Sequence, residues 1–159
     1  MRNDDLIELV SDATARHGIE PAALEIELTE SLVMDDAEGN LRKMHALREL
    51  GVSLAIDDFG TGYSSLAYLN RLPIDKLKID RSFVNDMLTD PTDRAITMAV
   101  IALGHTLGLK VVAQGVDLKE QAALLREAGC DELQGYLTGR PMPVEVFMEW
   151  AERRLLSAA

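Results

Sequence analysis

The sequence predicts an α/β fold built on a parallel sheet with flanking helices, and two observations support this prediction. Amphipathic helical segments alternate with short segments rich in β-branched and other apolar residues. At four points a glycine stands between helix and strand, where a helix end favours a residue that tolerates the left-handed conformation. Because parallel neighbours need crossover connections, this alternation favours a parallel sheet.

The elements are expected in a fixed order along the chain. Five predicted strands cover 24–30, 52–56, 76–80, 109–113 and 130–133. The helical stripes are formed by Leu6, Val10 and Ala13, by Leu41, Met44, Leu47 and Leu50, by Ile96, Val100, Leu103 and Leu107, and by Leu124 and Leu125. The separating glycines are Gly18, Gly51, Gly108 and Gly129. The third strand instead follows Pro73 and precedes another helix.

The charge of the chain argues against nucleic acid as a partner. The 159 residues include 27 acidic and 16 basic side chains, which gives a net charge of −11. A protein this acidic repels a polyphosphate backbone unless it has a local basic patch, and the sequence contains no such patch. We therefore expect no binding to DNA or RNA.

Length and composition favour one folded domain over 1–159. Hydrophobic residues make up 47% of the chain, which is enough for a core in a domain of this size. No apolar run approaches the roughly 20 residues that span a bilayer, so we expect a cytoplasmic protein with no membrane partner. Cys130 is the single cysteine, which excludes an internal disulfide.

Polar side chains lie at or just beyond the predicted strand ends, where parallel α/β folds place their chemistry. They are Glu27 and Glu30, Asp57 and Asp58, Lys78 and Asp80, Gln114, and Gln134. An alternative interpretation is that each side chain caps the helix that follows its strand. The recurrence of polar residues after all five strands favours a shared site over five independent caps.

Asp57 and Asp58 are the centre of this predicted site. Two adjacent carboxylates at a strand end cannot both face a dry interior without a cation between them. Oxygen ligands from Glu27, Asp57 and Asp58 suit Mg²⁺ or Mn²⁺, which polarise phosphoryl groups and activate water. Lys78 would then orient a water or stabilise the charge that develops on a phosphate. The alternative for Lys78 is a salt bridge to a neighbouring aspartate.

A glycine-containing loop, 59–65, directly follows the acidic pair. Gly60 and Gly62 give this loop conformational freedom and backbone N–H groups that can face a ligand. Ser64 and Ser65 have no positioned histidine, which argues against a serine nucleophile.

Several long runs of the sequence resemble the EAL family, the Mg²⁺- or Mn²⁺-dependent phosphodiesterases of bacterial signalling that hydrolyse cyclic di-GMP to the linear dinucleotide pGpG. The matching segments are 27–31 (ELTES), 51–66 (GVSLAIDDFGTGYSSL), 76–83 (KLKIDRSF), 111–116 (VVAQGV), 134–137 (QGYL) and 140–141 (RP). Their order and spacing match the family from about 18 to 143. The resemblance implies a (β/α)₈ barrel of the TIM type, with its site at the carboxyl-end mouth.

The resemblance also implies roles for individual residues. Glu27 and Asp57 resemble ligands of a first metal. Asp58 resembles a ligand of a second metal, which shares Asp57 with the first. Lys78 resembles the residue that holds the attacking water.

Two further residues have supporting roles by the same resemblance. Glu30 resembles the carboxylate that anchors the loop after Asp58, and in the family this loop couples dimer contacts to metal binding. Gln134 resembles a polar contact in the substrate pocket.

Two departures from the family pattern bear on activity. The signature Glu-Ala-Leu strand and a later strand with a metal-binding asparagine are expected before Leu6, and the chain does not contain them. The segment 114–117 (QGVD) stands where active members have Glu-Gly-Val-Glu. Gln114 lacks a charge, so it is a poorer metal ligand and no general base, and loss of a base alone costs on the order of 10²–10⁴ in rate. We therefore expect little or no turnover.

Three hypotheses about function remain open from the sequence. The first is a truncated, catalytically impaired EAL-type domain that binds cyclic di-GMP or contacts proteins. The second is an active Mg²⁺- or Mn²⁺-dependent phosphodiesterase whose missing strands come from another chain or segment, and the third is a purely structural or interaction protein. A partial barrel leaves sheet edges and an apolar interior exposed, so we expect a homo-oligomer or a partner chain that completes the barrel.

Overall fold

The computed structural model describes residues 4–35, 37–62 and 66–158. Five strands in these ranges form one sheet, in which each strand pairs in parallel with the next strand along the chain. The strands are β1 (Glu25–Thr29), β2 (Ser53–Phe59), β3 (Lys76–Ile79), β4 (Lys110–Gln114) and β5 (Glu132–Gln134). The predicted parallel α/β sheet with flanking helices is therefore confirmed.

Helices precede, connect and follow the strands. Within the described ranges they are α1 (Asp4–His17), α2 (Glu30–Asp35), α3 (Ala37–Glu49), α4 (Leu66–Leu69), α5 (Arg81–Asp86), α6 (Pro91–Thr106), α7 (Lys119–Glu127) and α8 (Val144–Ala158). None of these helices has the length and apolar character needed to cross a membrane. Gly51 and Gly108 follow α3 and α6 with φ angles of 92° and 73°, so the predicted glycine stops have the left-handed conformation expected of them.

The strands separate apolar from polar side chains by simple alternation. In β3, Leu77 and Ile79 are fully buried in the core, whereas Lys76 and Lys78 lie on the opposite face of the sheet. The core face includes Leu54 and Ile56 of β2, Leu77 and Ile79 of β3, and Val111 and Ala113 of β4. The opposite face is unusually polar for a parallel sheet, and the functional residues lie on it.

Helix α6 packs closely against the core face because it has a glycine at the contact. A Cβ atom added to Gly104 would lie 2.3 Å from Cγ2 of Val111 in β4. Because a buried valine is stiff at χ1, relieving so short a contact would require the helix or the strand to move. Gly104 therefore sets the distance between α6 and the sheet.

Both outer strands of the described sheet are accompanied by exposed apolar side chains. Helix α8 follows β5 and exposes 48% of Phe147 and 54% of Met148. Helix α1 precedes β1 and exposes 57% of Leu9. Large apolar side chains in such positions are typical of surfaces that another element covers.

Candidate functional site at the carboxyl end of the sheet

The carboxyl ends of β1, β2, β3 and β4 bring four of the predicted site residues into contact. Nζ of Lys78 lies 2.5 Å from Oε1 of Glu27 and 3.4 Å from Oδ1 of Asp57. Nε2 of Gln114 donates a hydrogen bond of 2.9 Å to the same Oδ1 atom of Asp57. Lys78 is buried, with 2% of the residue exposed, so its ammonium group is held between two carboxylates away from bulk water.

A bulge in β2 positions the two adjacent aspartates. The register between β2 and β3 shifts between Ile56 and Phe59, and Asp58 has a φ angle of 55°. This left-handed conformation costs an aspartate about 1 kcal/mol or more. Bulges redirect side chains that strict alternation would send to opposite faces. As a result Asp57 contacts Lys78 on the polar face while Asp58 lines a neighbouring cavity.

Asp58 lies in a crowded acidic environment. Burial raises the pKa of its carboxyl group, and the negative charge of Asp57 and a hydrogen bond with Asp80 raise it further, against the effect of Lys78. Burial also disfavours the charged form of Asp80, but hydrogen bonds from Ser82 hold the pKa of Asp80 below its usual range. The two carboxyl groups are therefore inequivalent, with the proton favoured on Asp58.

Asp80 caps a helix and also lies at the site, so the two interpretations of polar residues at strand ends are compatible. Its side chain accepts hydrogen bonds from the backbone N–H (2.8 Å) and the hydroxyl of Ser82, so it caps α5 as the alternative interpretation predicted. The same carboxylate also faces Asp58. The sequence predicts Asp80 at a strand end but gives it no role in the metal site.

Glu30 holds the first part of the loop that follows β2. Its Oε2 atom accepts hydrogen bonds from the backbone N–H groups of Gly60 (3.1 Å) and Gly62 (3.4 Å). A Cβ atom added to Gly62 would lie 2.8 Å from Oε1 of Glu30, so a larger residue here would displace the Glu30 carboxylate. The remaining loop residues, 63–65, lie outside the described residues, and Ser64 and Ser65 are among them.

A cavity of about 330 Å³ opens beside these carboxylates. Its lining includes Asp58, Asp80, Arg81, Gln114 and the exposed Gln134. Arg81 follows Asp80 directly in the chain, and its proximity to the site could have been expected from that position alone. The cavity thus combines acidic, amide and cationic groups.

A second cavity of about 430 Å³ shares Gln134 and Tyr136 with the first. The guanidinium of Arg140 lies 4.4 Å from the centre of the Tyr136 ring, and Phe147 and Trp150 stack on one another at 5.7 Å. Flat aromatic and guanidinium surfaces suit a ligand with planar rings. Tyr136 and Arg140 belong to the segments 134–137 and 140–141, but the sequence alone does not predict that α8 brings Phe147 and Trp150 beside them.

The carboxylates do not form a ready metal site in this arrangement. Within the described residues, no three Asp, Glu, His or Cys side chains converge as ligands of one ion. Glu27 and Asp57 are instead bridged by the ammonium of Lys78, and Asp57 also accepts the amide N–H of Gln114. The predicted Mg²⁺ or Mn²⁺ ligand set of Glu27, Asp57 and Asp58 therefore does not fit an ion without rearrangement.

The comparisons with known proteins agree with the parallel sheet and its acidic carboxyl end. The family model of the EAL domain matches residues 1–141, so the chain belongs to the EAL domain family and is related to the cyclic di-GMP phosphodiesterases of that family. The family predicted from the sequence is confirmed, and the match begins nearer the amino terminus than expected.

Particular relatives are similar over most of this chain. The bifunctional diguanylate cyclase/cyclic di-GMP phosphodiesterase MucR of Pseudomonas aeruginosa is 51% identical over 140 residues, which are 88% of this chain and 20% of MucR. The solved MucR phosphodiesterase, in complex with cyclic di-GMP, superposes with a TM-score of 0.87 over 89% of this chain and 57% of that one. BlrP1 of Klebsiella pneumoniae, solved with manganese and cyclic di-GMP, is 37% identical with a TM-score of 0.79, over 86% of this chain and 35% of that one. The chain thus spans about a fifth of the length of its curated relative.

Proposed function

We propose that this chain is a catalytically impaired EAL domain that binds cyclic di-GMP as a module of bacterial signalling. The observation that supports this most directly is the hydrogen bond from Nε2 of Gln114 to Oδ1 of Asp57. Asp57 is the residue that resembles the carboxylate shared between two metals. An amide N–H on that oxygen, together with the ammonium of Lys78 at 3.4 Å, competes with a metal ion for Oδ1 of Asp57.

The chemistry of Gln114 also argues against turnover. A neutral amide cannot remove a proton from water, and its N–H group stabilises Asp57 in the absence of a metal ion. Lys78 adds an ion pair to the same carboxylate, at 3.4 Å. We propose that Glu27, Asp57 and Asp58 bind Mg²⁺ or Mn²⁺ weakly for this reason.

Binding of the nucleotide is supported by the two adjoining cavities. Volumes of about 330 and 430 Å³ lie in the range of small-molecule sites. Arg81 in the first cavity offers a cation to a phosphate, and Tyr136 and Arg140 at the second offer flat surfaces to a base. The MucR phosphodiesterase, which is 51% identical, is solved with cyclic di-GMP.

Calorimetry with cyclic di-GMP tests this proposal. Titrations in EDTA, Mg²⁺ and Mn²⁺ should give binding in all three solutions, with little gain from the metals. Arg81→Ala should weaken binding about tenfold, because it removes a charged hydrogen-bond donor. The matched control is Arg126→Ala, which should bind like wild type. Arg126 is an exposed residue of α7 that lines neither cavity.

The absence of any binding heat would instead favour a purely structural or interaction role. If the protein binds the nucleotide but Mn²⁺ raises the nucleotide affinity strongly, the proposal of weak metal binding is contradicted. The two outcomes separate the nucleotide proposal from the metal proposal.

A second candidate, an active phosphodiesterase completed by another chain or segment, has its own support. Glu27, Asp57 and Lys78 do lie together, and the exposed faces of α1 and α8 accompany both outer strands. Mixing the chain with a fragment that carries the family's missing strands should then produce pGpG. Light scattering checks the related expectation of a homo-oligomer or a partner chain, which a compact monomer at high concentration would contradict.

A further inference from the structure

A second ion cluster lies on the polar face of the sheet, at the amino ends of the strands. Nζ of Lys76 lies 3.0 Å from Oε2 of Glu25 and 2.9 Å from Oε2 of Glu132. We call these three residues the Lys76 cluster. They belong to β3, β1 and β5, which are the middle strand and the two outer strands of the described sheet. One side chain therefore ties both edges together, which requires a strongly curled sheet.

The reach of Lys76 follows from the stagger of the strands. The register partners of Glu25 and Lys76 on β2 are two residues apart, and so are the partners of Lys76 and Glu132 on β4. These partners are Ser53 and Ala55 on β2, and Lys110 and Val112 on β4. Two residues over two strands is one residue per strand, the stagger that an eight-stranded barrel with a shear number of 8 requires.

The Lys76 cluster lies directly below the functional site. Each of its members precedes a residue of that site by two positions on the same strand face: Glu25 precedes Glu27, Lys76 precedes Lys78, and Glu132 precedes Gln134. Any slip or separation of the outer strands at the Lys76 cluster is therefore transmitted to the functional site. The contact most sensitive to it is the 2.5 Å pair of Lys78 and Glu27, which joins β3 to β1.

We propose that Lys76 is a positioning residue for the carboxyl-end site. It contacts none of the predicted site residues at hydrogen-bond distance, and it acts by fixing the relative heights of β1, β3 and β5. Without its ammonium group, Glu25 and Glu132 become two unpaired like charges that repel across the concave face. The outer strands then separate, and the buried ammonium of Lys78 becomes accessible.

Pulse acetylation of lysines, read by mass spectrometry, tests the proposal without any nucleotide. In Lys76→Met, acetylation of Lys78 should rise about fivefold over wild type through local opening of the site. Lys76→Arg should restore protection of Lys78, since a guanidinium also bridges two carboxylates.

Arg48→Met is the matched control, because Arg48 pairs with Asp75 at 2.6 Å at the same end of the sheet. The two methionine variants are compared at denaturant concentrations that give them equal stability. Equal acetylation of Lys78 in both would overturn the positioning role and leave Lys76 a general stabiliser. Should Lys76→Met fail to fold, Glu132→Gln keeps the pair with Glu25 and should give a smaller rise in Lys78 acetylation; no rise would also contradict the proposal.

The consequence for ligand binding rests on the proposed function. If the site binds cyclic di-GMP, Lys76→Met should weaken that binding and Arg48→Met should not. Loss of Lys78 protection in Lys76→Met, together with no nucleotide binding by wild type, would confirm the positioning role and contradict the nucleotide proposal. Unchanged Lys78 protection would overturn the positioning role whatever the affinity.

Discussion

The two ends of the polar sheet face have similar residues and opposite electrostatic states. At the amino end, burial disfavours the charged form of Lys76, but hydrogen bonds to Glu132 and Glu25 hold its pKa above the usual value. At the carboxyl end, burial and neighbouring acids raise the pKa of Asp58. The Lys76 cluster thus stabilises its own charges, whereas the carboxyl-end site carries more negative charge than Lys78 neutralises. Such uncompensated charge is typical of sites that bind something.

The largest expected effect comes from the same substitution made at each end. Lys78→Met leaves Glu27 and Asp57 without their buried cation and should lower the free energy of unfolding by about 3 kcal/mol. The side chain of Lys76 is 19% exposed against 3% for Lys78, so Lys76→Met should cost less, about 1 kcal/mol. Urea denaturation of both variants measures the difference. Equal losses would mean that the two ends do not differ in the way we describe.

Gln114→Glu adds a carboxylate beside Asp57 and should increase the electrostatic difference between the two ends of the sheet. Replacing the amide donor should lower the free energy of unfolding by about 1–2 kcal/mol in EDTA, because Asp57 loses a hydrogen bond and gains a repulsive neighbour. Mn²⁺ should then raise the melting temperature of the variant more than that of wild type. Gln134→Glu makes the same change at the register partner on β5 and serves as the control. Identical responses to Mn²⁺ would argue against a special role of position 114.

Asp58→Asn should remove charge repulsion at the carboxyl-end site and give a small gain in stability at neutral pH. The folded pKa of Asp58 lies above its unfolded value of 3.8, so the folded state binds more protons. Wild type therefore loses this contribution as pH rises from about 4 through the folded pKa, by a few tenths of a kcal/mol at a partly exposed site. Asparagine also tolerates the left-handed conformation, so the variant adds no backbone strain. Unfolding curves between pH 4 and 7 should converge at the acid end, and parallel curves would contradict the assignment.

Much of the fold follows from local pattern in the sequence. The alternation in 76–79 already separates the two lysines from the two apolar residues, and Gly51 and Gly108 end helices where predicted. The sequence also predicts that Glu27, Asp57, Lys78 and Gln114 lie at the same end of the sheet, because each stands at the end of a predicted strand. These features depend on periods of two and 3.6 residues, which a sequence shows directly.

Other features depend on geometry that no local pattern shows. The bulge at Asp58 is a shift of register between two strands, and nothing in 56–59 alone requires it. The hydrogen bond of Gln114 to Asp57 joins residues 57 positions apart. The Lys76 cluster depends on the stagger of five strands, so Lys76 looked like an ordinary strand residue in the sequence.

The most direct test of the central claim is chromatography of cyclic di-GMP incubated with this chain and Mn²⁺. We predict that wild type binds the nucleotide but forms no pGpG above the level of a protein-free control. Steady conversion to pGpG at rates typical of enzymes would contradict the account, because Asp57 would then serve a metal despite its contacts with Gln114 and Lys78.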